Sequence, residues 1–290
     1  MILIILRSHD ELEVSMEYNA YNENNVRVTV SDEQLNEAFR QHGEELPIEI
    51  VIAMGASHNK MFIPRLYEAL FHRTQRIRIK AMHSLLSINN IESVSILREK
   101  EKMISEDDFN ASISEKAILQ SVIIRLEHGP SGAEEAFFKG DIHPSVKLNL
   151  LYNYSSNMVL TLEDVRFIIN ALEAYVHKSE AWIQKMKKND YEDVIIKGLE
   201  ALWSASEESS LLSLLNTEFN EKLVEIGSQI LKIKIDSYAK EVIAIFAKAL
   251  PPKYAYSMLE PIMNGRVKGD IRTELERSLL ILRQKEKEEE

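Results

Sequence analysis

Histidine and acidic residues are the side chains of this sequence that could bind a metal ion or act as general acids and bases. The chain has eight histidines but no His-Glu-x-x-His segment, and one local pair of possible ligands is Asp141 with His143. A metal site on that pair needs two further ligands from elsewhere in the chain. We therefore interpret the pair as part of a helix-capping turn, and we expect neither a metal ion nor a cofactor.

Two other segments invite comparison with catalytic motifs. Gly129–Gly132 (GPSG) lacks the preceding strand and the glycine spacing of a hydrolase nucleophile turn, so it indicates a join between helices. The acidic run Glu106–Asp108 follows Ser105, where it stabilises a helix start more simply than it forms a catalytic pair. The sequence contains neither Gly-x-x-x-x-Gly-Lys nor Gly-x-Gly-x-x-Gly, the phosphate-binding patterns. We expect a protein that is not an enzyme.

Charge balance and cysteine content exclude further classes. The 290 residues include 35 Lys and Arg against 46 Asp and Glu, which gives a net charge of −11, and no cysteine. Without cysteine there is no disulfide scaffold, thiolate zinc site or cysteine nucleophile. The acidic balance disfavours nucleic-acid binding, since phosphate contacts require an excess of Lys and Arg. The basic cluster from His72 to Lys80 is interrupted by Ile77 and Ile79, so its charges cannot share one helix face.

The apolar segment Met1–Leu6 is the one stretch that resembles a targeting signal. Its six residues are too few for a signal peptide or for a membrane span, which needs about 20 apolar residues. The segment is instead typical of a buried strand. We expect a cytoplasmic protein without a membrane segment.

The first 30 residues predict strands, and a helix follows them. Ile2–Leu6 is continuously apolar, and Val26–Val30 alternates with β-branched residues on one face, as strands do. Ser31 and Gln34 have the spacing of a capping box, which starts a helix, and Gly43 ends it.

From about residue 47 onward, apolar residues recur at helical spacing in short segments joined by polar turns. Helices of three to four turns with such short joins pack antiparallel to their neighbours. The predicted helices are Met61–His72, Gln75–Ile88, Ser114–Leu126, Pro144–Tyr154, Thr161–Val176, Tyr191–Trp203, Asn220–Ile233, Tyr238–Leu250 and Asp270–Leu282.

An internal repetition connects these helices. Near the start of the second helix of each pair, a basic residue follows an apolar or acidic one, at Arg78, Lys116, Lys147, Lys197 and Arg272. The first two intervals are 38 residues (78 to 116) and 31 residues (116 to 147). The next, 50 residues from 147 to 197, leaves room for an insert at Thr161–Lys188. Periods of this size built from helix pairs are typical of a solenoid.

The stretch from Val51 to Lys100 resembles HEAT-type repeats. It has a small-residue helix end at Met54–Ala56, a proline early in the next helix at Pro64, and an apolar-Arg pair at Ile77 and Arg78. The family's repeats are bridged by an Asp and a basic residue six positions apart, a spacing that Asp141 and Lys147 match. At the corresponding position of the first stretch this sequence has His72 instead of Asp. The resemblance implies an architecture and no catalytic residues.

We therefore expect a mainly α protein, an alpha-alpha superhelix of HEAT-like repeats with a small β-containing N-terminal element. The expected divisions are an N-terminal strand and helix element at 1–45, a HEAT-like domain at 46–283 and a charged tail at 284–290. Solenoids of this kind bind ligands on a concave surface lined by the second helices.

The function we expect is a non-enzymatic protein-protein interaction scaffold or regulatory binder whose concave face takes a basic partner. The polar positions expected on the second helices are Lys80, His83, Asn149, Asn153, Lys197 and Glu200. One alternative is a HEAT-like DNA glycosylase or another nucleic-acid-binding enzyme on the same fold, for which a continuous basic groove would be evidence. A second alternative is a helical regulator that dimerises through an edge strand at Val26–Val30.

Overall fold

The computed structural model describes residues 3–5, 18–21, 27–104, 114–139, 141–154, 159–208, 211–232, 237–265 and 269–289. The protein is mainly helical. Three short strands, β1 (Leu3–Ile5), β2 (Tyr18–Tyr21) and β3 (Arg27–Val30), form an antiparallel sheet in the order β1-β2-β3. In its register Leu3 lies opposite Tyr21, and Tyr18 lies opposite Val30.

The helices of the described ranges follow the sheet in chain order. They are α1 (Asp32–His42), α2 (Ile48–Ala56), α3 (Ile63–Ala69), α4 (Gln75–Ile88), α5 (Ser93–Met103), α6 (Glu115–Phe138), α7 (Pro144–Tyr152), α8 (Leu162–His177), α9 (Ala181–Gln184), α10 (Lys188–Glu208), α11 (Thr217–Lys232), α12 (Ser237–Ala247), α13 (Pro252–Met263) and α14 (Asp270–Glu289). Short 3-10 turns lie at Gly43–Glu45, Lys60–Phe62 and Leu211–Leu214.

Local sequence signals explain where several of these helices begin and end. Ser31 caps α1 in a capping box, with its backbone N–H donating to Gln34 Oε1 at 2.9 Å, and Gly43 follows the helix at φ 48°. Both features are as the sequence predicts. The join predicted at Gly129–Gly132 is a kink inside α6, because Gly129 has a φ of 67° and Pro130 starts the second helical segment. The acidic run Glu106–Asp108 lies outside the described residues.

The capping turn predicted at Asp141 and His143 is present before α7. His143, and not Asp141, is the N-cap, and its Nδ1 accepts a hydrogen bond from the Ser145 N–H at 3.2 Å. Asp141 is exposed, and within the described chain no ion pair joins it to Lys147, which is buried. The expectation that Asp141 bridges repeats is therefore wrong.

The chain divides into two compact units. The first comprises Met1–Ala133, Asp141–Asn153 and Asn157–Val159, and the second comprises Glu134–Gly140, Tyr154–Ser156 and Leu160–Glu290. In the first unit α4 packs against α2 and α3, and α1 packs against α2. Its core contains the fully buried side chains of Val51, Met54, Phe62, Leu66 and Leu85. Burial of such side chains, at about 1.5–3 kcal/mol each, holds the helices together.

In the second unit the helices contact one another in two series. In one series α11 lies against α8 and α13, and in the other α12 lies against α10 and α14. Contacts across the series join α8 to α10, α11 to α12, α12 to α13, and α13 to α14. We call α8, α11 and α13 the first helices and α10, α12 and α14 the second helices.

Side-chain contacts fix the direction of neighbouring helices within each series. Along α8 and α11, Arg166 lies over the ring of Phe219, and His177 pairs with Glu225 further along both helices. The second contact lies closer to the C-terminus than the first on both helices, so α8 and α11 run parallel. The second helices α12 and α14 also run parallel. Ser278 Oγ donates to Ala244 O, and further along both segments Lys285 Nζ donates to Lys248 O.

Candidate functional site

The first polar group of interest in the first unit is an ion pair between α4 and α6. Arg78 donates from Nε to Glu115 Oε1 at 2.8 Å and from Nη2 to Glu115 Oε2 at 2.6 Å. Lys100 Nζ lies 3.5 Å from Glu115 Oε1. Arg78 thus connects α4 with α6, and its partner Glu115 lies 37 positions further along the sequence. Because Arg78 is engaged in this pair, it is not an available phosphate ligand.

Four of the six predicted binding residues lie in the first unit, and three of them interact. His83 on α4 keeps part of its surface exposed, but its Nε2 atom is buried beside the side chain of Asn153, at the end of α7. Asn153 is 5% exposed, and its Nδ2 donates to Ser121 Oγ at 2.7 Å. Burial and the positive charge of Lys80 lower the pKa of His83 to about 4, and the interaction with Asn153 opposes this shift.

Asn149 is not part of this cluster. Its Nδ2 donates to the backbone oxygen of Ser145, one turn earlier on α7, at 2.7 Å. Such a hydrogen bond within one helix leaves Asn149 as a partly buried surface residue. The cluster of the first unit therefore contains Lys80, His83, Ser121 and Asn153.

The low pKa of His83 predicts a specific acid sensitivity. Unfolding returns the imidazole to a pKa near 6.5, so between pH 6.5 and pH 4 the unfolded chain binds a proton that the folded chain does not. Stability must then fall as the pH is lowered through this window. Between pH 7 and pH 4.5 we expect His83 to contribute about 2 kcal/mol of this loss. Urea unfolding should show that His83→Gln loses about 2 kcal/mol less stability than the wild type between pH 7 and pH 4.5.

The matched control for this measurement is His42→Gln, because His42 is an exposed histidine at the end of α1. This variant should retain the pH dependence of the wild type. If His83→Gln also retained it, the imidazole of His83 would titrate alike in the folded and unfolded chains.

The other two predicted residues, Lys197 and Glu200, lie one turn apart on α10 in the second unit. Lys197 Nζ forms an ion pair with Glu200 Oε2, and both side chains are partly exposed. The hydroxyl of Tyr238 on α12 donates to Glu200 Oε1 at 3.2 Å. Partial burial, Glu200 and the negative charge of Glu241 together raise the pKa of Tyr238. We call the surface formed by Lys197, Glu200, Tyr238 and Glu241 the acidic face.

Sequence reasoning missed a second polar arrangement in this unit, on the first helices. Lys222 Nζ of α11 lies 2.9 Å from Glu173 Oε2 and 3.1 Å from Asn170 Oδ1, both on α8. The amide of Asn170 donates from Nδ2 to Glu134 Oε1 at 2.7 Å. These residues, with Phe138, line a groove of about 390 Å³. We call it the first-helix groove.

One signal in the sequence could have revealed this groove. Arg166, Asn170, Glu173 and His177 follow one another at intervals of three or four residues, so they share one side of α8. Most of the other positions of this helix are apolar and buried. A polar stripe on such a helix indicates polar partners on the neighbouring helix.

No protein-family model matches this sequence, and no curated protein is significantly similar to it. Among the helices of the described ranges, none has the length and apolarity of a membrane span. Within the same ranges, no three His, Asp or Glu side chains are grouped closely enough to hold a metal ion. The polar side chains of these sites form ion pairs and hydrogen bonds with one another.

Proposed function

We propose that the protein is a non-enzymatic protein-interaction scaffold or regulatory binder, built from stacked helix pairs of the HEAT-like solenoid type. The helix contacts of the second unit support the proposal. The first helices contact other first helices, and the second helices contact other second helices. Parallel neighbours within each series are what a repeated helix pair produces. In such a stack the second helices line the concave binding surface.

The single observation that favours a basic partner is the acidic face. On α10 and α12 two carboxylates, Glu200 and Glu241, act on the same phenol of Tyr238, while Lys197 offsets one of them. The ion pair between Lys197 and Glu200 is partly exposed, and pairs of this kind contribute only about 0–1 kcal/mol. A lysine or arginine of a partner can therefore replace Lys197 at little cost. Screening by salt would weaken that association.

A pull-down tests this proposal with the tagged chain as bait in native lysate, at low and at high salt, with mass spectrometry of the retained proteins. We expect one dominant basic protein that is retained at low salt and released at high salt. The double variant Glu200→Gln, Glu241→Gln should lose most of it, because the carboxylates become neutral amides of similar shape. The retained protein is then purified and its affinity for both chains is measured.

The matched control is Glu218→Gln, Glu221→Gln, which changes the net charge by the same amount at two exposed positions of α11. This control should bind like the wild type. Equal loss in both double variants would mean that the total charge, and not the acidic face, attracts the partner. Nucleic acid in place of a protein would contradict the scaffold and favour the nucleic-acid-binding enzyme on the same fold.

A further inference from the structure

The first-helix groove contains two carboxylates and one ammonium group. Its two carboxylates are Glu134 and Glu173, and the ammonium group of Lys222 pairs with Glu173. Glu134 accepts a hydrogen bond from the neutral amide of Asn170, and within the described part of the chain no cation forms an ion pair with it. Because Asn170 turns its oxygen to Lys222 and its nitrogen to Glu134, the amide fixes both groups in place.

An aromatic side chain, Phe138, lines the groove together with the carboxylate of Glu134. Phe138 follows Glu134 by four residues in α6, so the two side chains lie on the same side of that helix and both line the groove. A carboxylate beside an aromatic ring is complementary to a lysine or arginine side chain, whose stem is apolar and whose head is a cation. The volume, about 390 Å³, is near the lower limit of ligand pockets, which run from about 300 to 1,000 Å³.

We propose that the first-helix groove binds a lysine or arginine side chain of a polypeptide partner, with the cationic head on Glu134 and the stem against Phe138. The site is separate from the acidic face, so it does not rest on the function proposed above. An anionic ligand is disfavoured, because it would meet Glu134 and Glu173, while Lys222 is already bound to Glu173 and Asn170.

The groove itself contains a precedent for this recognition. Lys222 is a lysine whose ammonium group binds a carboxylate and an amide oxygen of α8, and whose head lies 5.7 Å from the ring centroid of Phe219. The partner's side chain would likewise contact a carboxylate and an aromatic ring, those of Glu134 and Phe138 on α6. Removing Lys222 would release Glu173 and so should strengthen the binding of an external cation.

NMR titration of the full chain tests the proposal, with the amides of N-acetyl-lysine and N-acetyl-arginine as probes and N-acetyl-norleucine amide as the neutral analogue. The cationic probes should shift the amide signals of Glu134, Phe138 and Asn170 at millimolar concentration, and norleucine should not. Glu134→Gln should weaken the binding about fivefold. Lys222→Met should strengthen it severalfold, an effect that a purely structural role of these residues would not produce.

The control variant is Glu260→Gln, an exposed glutamate of α13 outside the groove, which should titrate like the wild type. Equal shifts with norleucine, or an unchanged affinity in Glu134→Gln, would overturn the proposal. Shifts confined to Glu200 and Tyr238 would also overturn it, and they would leave the acidic face as the binding site for cations.

Discussion

Gly55→Ala should lower the free energy of unfolding by about 3 kcal/mol, although alanine normally stabilises a helix by about 1 kcal/mol relative to glycine. Gly55 lies in α2 where this helix crosses α4. A Cβ atom at Gly55 would lie 2.5 Å from Ser84 Cβ and 2.6 Å from Ser84 Cα. Because a backbone atom is involved, rotation of one side chain cannot relieve the clash, and the two helices must separate. Urea unfolding followed by circular dichroism measures the loss.

Gly198→Ala is the matched control, since Gly198 is also a buried helical glycine next to another helix. There the nearest atom to a new Cβ is Leu172 Cδ2, the end of a flexible side chain, at 2.7 Å. We expect Gly198→Ala to change stability by no more than about 1 kcal/mol, because the atoms that must shift belong to the Leu172 side chain and not to a helix backbone. An equal effect at both positions would contradict the close approach of α2 and α4.

The features that the sequence predicts well are those that a few neighbouring residues determine. The capping box of Ser31 and Gln34, the turn at Gly43 and the helix spacing of apolar residues all depend on backbone geometry over one or two turns. The small residue Gly55 and the basic residue Arg78 are recognisable in the sequence through its resemblance to HEAT-type repeats, whose pattern has a small-residue helix end and an apolar-Arg pair. The mainly helical structure therefore follows from local patterns.

The parts that sequence reasoning missed depend on residues far apart in the chain. Glu134 and Asn170 are 36 positions apart, and Asn170 and Lys222 are 52 apart, so no spacing rule connects them. The error at Asp141 has the same origin. Its spacing to Lys147 fits the pattern of HEAT-type repeats, but spacing along the chain does not determine which side chain a bridging residue meets in the folded protein. Arg78, for example, pairs with Glu115, 37 positions away.

The six predicted binding residues form two groups in the structure, and one of the six, Asn149, belongs to neither. Lys80, His83 and Asn153 lie together in the first unit, while Asn149 is hydrogen bonded within its own helix. Lys197 and Glu200 lie in the second unit, where Tyr238 joins them from α12. Whether these positions bind a partner remains a prediction, and the variants proposed at Glu200 and Glu241 test it for the acidic face.

Arg78→Met should lower the free energy of unfolding by about 3 kcal/mol, because among the described residues it leaves Lys100 as the cation beside the buried carboxylate of Glu115. The side chain of Glu115 is 5% exposed, and Lys100 lies at 3.5 Å, which is too far for a strong hydrogen bond. Arg98→Met is the control, since Arg98 forms its ion pairs with Glu101 and Glu127 while 47% exposed. It should cost less than about 1 kcal/mol.

A double-mutant cycle separates the charge effect from the loss of the arginine stem. In the Glu115→Gln background the partner of Arg78 is already neutral, so Arg78→Met should cost about 1 kcal/mol or less. The difference between the two backgrounds is the coupling energy of the ion pair between α4 and α6. Equal costs in both backgrounds would show that Arg78 stabilises the first unit through packing and its hydrogen bonds to the backbone oxygens of His72 and Arg73, and not through Glu115.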